Sequence, residues 1–111
     1  SSGGTPLHNA CFNGHSDAIT LLLSRGASVD FIDSMGKTPL HIASEKGFSS
    51  CIKILLKYKA NSNTIDNFGR TPLHYALTDE RCVELLLQDG ANIDLQDKIG
   101  DTLLIRVVKS S

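Results

Sequence analysis

The tetrapeptide TPLH occurs three times, at Thr5–His8, Thr38–His41 and Thr71–His74, and each copy lies 33 residues after the last. No other feature constrains the fold of this chain as strongly. Other columns keep the same step: Ala10, Ala43 and Ala76 align, as do Gly14 with Gly47 and Ala27 with Ala60. The apolar runs Ala18–Leu23 and Cys51–Leu56 also align, and Cys82–Leu87 matches them after a shift of 31. A shorter fourth unit, DKIGDTLLIRVV, begins at Asp97. A unit of this length cannot bury its apolar face alone, so successive copies must stack and share one continuous core.

Within a unit the residues predict a helix, a turn, a second helix and an extended hairpin-like loop. Thr before Pro suits a helix start, because the hydroxyl caps free backbone N–H groups and Pro is tolerated in the first turn. Leu7 and Ala10, like Leu40 and Ala43, lie three apart on one helical face. Ile52, Leu55 and Leu56 form the matching stripe of the second helix. Gly26 and Gly90 close second helices in the left-handed conformation, and Gly36, Gly69 and Gly100 occupy the turn that follows. Asp33, Asp66 and Asp97 align just before the loop tips, where Asp caps its own turn.

Three departures break the pattern. Lys59 stands where Gly26 and Gly90 stand, at a cost of about 1 kcal/mol if the site is left-handed. The third unit lacks two residues around Asp79-Glu80, which predicts a tighter turn and a slightly shifted second helix. The fourth unit has Leu103 for Pro and Ile105 for His, with no second helix. Arrays need polar end units, so exposure of Leu7, Leu103 and Val107 at uncapped ends would allow weak self-association.

Letters and spacing together closely resemble the ankyrin repeat. The three units read GGTPLHNACFNGHSDAITLLLSRGASVD, GKTPLHIASEKGFSSCIKILLKYKANSN and GRTPLHYALTDERCVELLLQDGANID. The resemblance implies an all-α solenoid filling residues 1–111 as one domain, with repeats at about 3–35, 36–68 and 69–99 and a partial one at 100–109. It also implies that each TPLH histidine stiffens its turn by bonding neighbouring backbone. It implies, too, that loop tips and first helices line a concave surface whose variable positions choose a partner.

Composition narrows the function classes. The chain is 41% hydrophobic and 21% charged with a formal net charge of −1, which argues against general attraction to nucleic acid or anionic membrane. No apolar stretch approaches the roughly 20 residues of a membrane span, and the first residues, Ser1-Ser2-Gly3-Gly4, carry no signal peptide. The cysteines Cys11, Cys51 and Cys82 are odd in number and widely spaced, with no C-x-x-C pair. That pattern fits a reducing, intracellular compartment, cytoplasmic or nuclear, and small buried side chains, not a disulfide framework or zinc site.

Catalysis and cofactors find no support in the residues. His8, His41 and His74 are equivalent positions on helices stacked about 8–10 Å apart, too far to share an ion. Cys11 and His8 lie three apart on one helix, but nothing supplies an orienting group or an oxyanion site. The glycines occur singly, as turn residues and not as a phosphate loop, and no loop converges enough oxygens for calcium. Lys53, Lys57 and Lys59 have no aromatic platform beside them and read as a solvated face. The expectation is therefore no enzyme, no metal and no cofactor.

Three columns at the expected concave surface carry variable side chains. Met35, Phe68 and Ile99 stand before the turn glycine, and Lys37, Arg70 and Asp101 after it. Asn9, Ile42 and Tyr75 follow TPLH, with Arg106 as the fourth equivalent. The first column is an apolar stripe, and its residue types are those enriched in interfaces. It would form the centre of a protein-binding site, with Lys37 and Arg70 taking an acidic group and Ile42 and Tyr75 extending the floor. Phe12, Glu45, Lys46 and Thr78, at the ends of first helices, are secondary candidates. Alternatives stay open: the tips only brace one another, the stack is a spacer, or it is a regulatory or targeting segment of a larger enzyme or channel.

Overall fold

The computed structural model describes residues 4–77 and 79–91. Among them six helices follow in order: α1 (Pro6–Asn13), α2 (Ser16–Ser24), α3 (Pro39–Lys46), α4 (Ser49–Lys57), α5 (Pro72–Ala76) and α6 (Glu80–Gln88). Helices α1, α3 and α5 pack side by side in one layer, α2, α4 and α6 in a second, and each pair packs across the two. The core runs between the layers. Leu7, Cys11, Leu40, Ala43, Leu73 and Ala76 enter it from the first layer, and Ile19, Cys51, Ile52, Leu55, Cys82, Val83 and Leu86 from the second. Leu7 is itself buried, so the expected sticky contribution from that residue is absent; Leu103 and Val107 lie outside the described residues.

TPLH does the same work in the first two copies, and in the third the Thr71 amide again donates to His74 Nδ1, at 2.9 Å. The Thr38 hydroxyl accepts from the His41 amide at 3.3 Å, while the Thr38 amide donates to His41 Nδ1 at 3.0 Å. Thr5 and His8 repeat this at 3.3 and 3.1 Å. This is a capping box in which His replaces the usual Glu or Gln. Because Nδ1 accepts, the ring proton sits on Nε2. His8 Nε2 then donates to the Lys37 carbonyl and His41 Nε2 to the Arg70 carbonyl, each at 2.8 Å. One histidine thus ties its own helix start to the loop of the next repeat. His15 begins α2 but makes no side-chain cap.

Lys59 is the one described non-glycine residue with positive φ, at 71°. Its amide donates to the Leu56 carbonyl at 3.0 Å and that of Ala60 to Leu55 at 3.0 Å. Gly26-Ala27 and Gly90-Ala91 close their helices with the equivalent bonds. The stacked context therefore holds Lys59 in a conformation that a Cβ disfavours.

The third repeat departs from expectation. The first helix yields, not the turn: α5 has 5 residues against 8 in α1 and α3, and the segment before the second helix is one residue longer. The reason is local. Gly14 and Gly47 end α1 and α3 in the left-handed region, and no glycine follows α5. The chain instead leaves the helix at Leu77 and restarts at Asp79, whose Oδ1 accepts from the amides of Arg81 at 3.0 Å and Cys82 at 3.2 Å.

Candidate protein-interaction surface

Each loop tip is built by an aspartate. Asp33 Oδ1 accepts from the Met35 and Lys37 amides at 2.8 and 2.9 Å, and Asp66 Oδ1 from those of Phe68 and Arg70 at 2.9 and 3.0 Å. The Asp33 and Asp66 amides close the tips onto the Lys37 and Arg70 carbonyls at 3.0 and 2.9 Å. The aspartates are thus the turn caps their spacing predicts; Asp97 lies outside the described residues. Neighbouring tips are joined by Asn67, whose amide donates to the Met35 carbonyl at 2.9 Å and whose Nδ2 donates to the Ser34 carbonyl at 3.1 Å. Gly36 allows this approach: a Cβ there would lie 2.6 Å from Asn67 Oδ1. Ser34 and Lys98 share the column of Asn67, so the repeat letters give no sign of this bond.

Because main chain and Asn67 hold the tips together, the apolar stripe is left to solvent. Met35 is 38% and Phe68 59% exposed. Ile32 and Ile65, one residue before the two aspartates, are 53% and 61% exposed. They are a further 33-residue column that reading from the turn glycine outward misses. On the first-helix layer, Phe12 is 53% exposed and stands beside a groove of about 490 Å³ lined by Thr5, Pro6, Asn9 and Ile42. Ile42 is mostly buried and serves as part of that groove's floor.

The polar residues are interlocked. Lys37 Nζ lies 3.4 Å from Glu45 Oε1 and 4.9 Å from the Tyr75 ring centroid, and its side chain is only 17% exposed. Arg70 lies 5.6 Å from the Phe68 ring centroid and 5.9 Å from that of Tyr75. The Tyr75 hydroxyl donates to Asp66 Oδ2, and its ring meets His41 edge-on at 5.9 Å. Tyr75 and Arg70 therefore belong to one cluster with Phe68. Ile99, Asp101 and Arg106 lie outside the described residues.

Burial sets the ionisation of this region. It raises the Asp66 carboxyl by itself, but the Tyr75 hydroxyl and the Arg70 and Phe68 amides outweigh it, leaving Asp66 below the ordinary carboxylate range. Burial and the Asp66 carboxylate push the Tyr75 phenol up. Burial lowers His41 below its ordinary 6.5, against the opposing Arg70 carbonyl and the Asp66 and Asp33 charges. Burial, with Cys51 nearby, pushes the Cys11 thiol up to about 12, and burial with Asp79 pushes Cys82 up to about 11. These thiols are small core side chains and poor nucleophiles. Among the described residues no three His, Cys, Asp or Glu side chains come together to hold a metal ion.

The arrangement defines a class: a repeat solenoid whose recurring letters make the stack and whose tip and first-helix positions differ from copy to copy. The family model described as ankyrin repeats (3 copies) matches residues 7–97, and the chain belongs to the ankyrin-repeat family. Domains of this family are generally protein–protein interaction modules and typically non-catalytic. No curated protein matches the chain. No helix among the described residues is long and apolar enough to cross a membrane.

Proposed function

We propose that this chain is a non-catalytic module that binds another protein, or a peptide segment of one, on the face formed by loop tips and first helices. Met35, Phe68, Arg70 and Tyr75 form its centre, Ile42 its floor, and Lys37 positions Tyr75. The same reading extends to Ile99 and Asp101, which share the columns of Phe68 and Arg70, and to Arg106, which shares that of Tyr75. One observation carries it: Met35 and Phe68 stand exposed on adjacent tips whose bracing comes from Asn67 and main chain. Apolar side chains that the stack does not need for its own cohesion mark a contact surface. An interface of ordinary size, roughly 800 Å² per partner, would cover it.

A spacer has no use for this exposure. Nucleic acid is a poor fit for a stripe of Met, Phe and Ile on a chain of net charge −1. Three unpaired, buried cysteines support an intracellular setting. Self-association would have to use something other than Leu7.

The test is a paired capture from cell lysate with mass spectrometry. One bait is the full chain; the other carries Met35→Asp and Phe68→Asp and is verified as folded by circular dichroism. A protein retained by the first and lost by the second supports the reading. Equal retention by both contradicts it and moves the site to the second helices or the ends.

A further inference from the structure

The tip and first-helix face sorts its charges by direction. Its carboxylates are engaged from within. Asp33 and Asp66 accept from their own turn amides, Asp66 is only 5% exposed beneath the Tyr75 hydroxyl, and Glu45 meets Lys37. Its exposed cations have no carboxylate partner: among the described residues neither Lys46 nor Arg70 has an ion pair. Each instead lies against an exposed ring. Lys46 Nζ is 4.0 Å from the Phe12 centroid, and Arg70 sits over both Phe68 and Tyr75. The rings hold the charged heads themselves by cation–π contact, and Arg70 also shares a hydrogen bond with the Tyr75 hydroxyl, which leaves its remaining N–H groups for an incoming acceptor. A guanidinium held this way is an organised fork for a carboxylate.

We infer that the occupant of this face is a protein segment in which acidic residues stand next to large apolar ones, an inference that rests on the interaction-face reading above. One carboxylate meets Arg70, with the adjacent apolar side chain on Phe68 and Met35. A second acidic–apolar pair meets Lys46 and enters the groove beside Phe12 and Ile42. Lys37 contributes little direct charge recognition, because Glu45 already neutralises it. A protein carboxylate fits better than a phosphate backbone because exposed Met35 and Phe68 on the same tips would stay uncovered under a polynucleotide, and the chain's net charge is −1.

The experiment selects a displayed random-peptide library on the full chain and measures one enriched synthetic peptide against folded variants. The expected peptides carry Asp or Glu beside Leu, Ile, Phe or Trp. Arg70→Glu is expected to weaken binding about tenfold, with part of the loss recovered when the peptide's acidic residue becomes Lys. Lys46→Glu should act in the same direction, and added salt should weaken the wild-type complex. If Phe68→Asp abolishes binding while Arg70→Glu and Lys46→Glu do not change it, the acidic assignment fails and the face reading survives. If none of the three changes binding, or no peptide is enriched, both fail. Displacement of the peptide by a single-stranded oligonucleotide with tighter affinity would overturn the protein-segment assignment in favour of nucleic acid.

Discussion

At the scale of single residues, Lys59 and His41 show how the stack enforces local chemistry. Lys59 occupies a left-handed closing position that glycine fills at residues 26 and 90. Lys59→Gly is expected to stabilise the protein by about 1 kcal/mol in urea unfolding, and Gly26→Lys to destabilise it by a similar amount. An unchanged midpoint in both would mean the conformation carries no cost. His41 accepts from Thr38 through Nδ1, so protonation there loses that bond. With its folded-state value below 6.5, the unfolded chain binds the extra proton first as pH falls. Stability from His41 is therefore fully present above about pH 6.5 and declines on acidification below it. The fall between pH 7 and 5.5 should be shallower in His41→Gln, which keeps an acceptor at the capping position without the titration; an equal fall would contradict this account.

At the scale of elements, the third repeat isolates what a cap contributes. Asp79 holds the start of α6, while His15 at the start of α2 makes no side-chain bond. Asp79→Ala should cost about 1 kcal/mol and His15→Ala almost nothing, read by thermal or urea unfolding. Helix existence was readable from the sequence because Thr-Pro starts, glycine ends and apolar stripes agree in every copy. The response of α5 to a deletion was not. Spacing shows that two residues are gone, but whether helix or turn yields depends on which residue can end the helix. The same holds for the tips. Asp33 and Asp66 announce their turns, since the carboxylate bonds its own chain two and four residues on. Asn67 bonds the neighbouring repeat, a contact no single unit contains.

At the scale of the whole molecule, the stack is a scaffold that leaves Met35 and Phe68 exposed on adjacent tips. Column reading singles out Met35, Phe68, Ile42, Arg70 and Tyr75 as positions that differ between copies, because variation within a fixed frame is visible in one sequence. It gave Lys37 the same role as Arg70, and only side-chain geometry separates a lysine neutralised by Glu45 from an arginine without an ion pair among the described residues. It passed over Ile32 and Ile65, whose exposure depends on how the loop arms lie. The most direct measurement is hydrogen–deuterium exchange on the full chain, alone and with the partner that the capture experiment identifies. Protection concentrated at residues 33–37 and 66–70 and along α1, α3 and α5 is the predicted result. Protection confined to α2, α4 and α6, with the tips exchanging as in the free chain, would contradict the central claim.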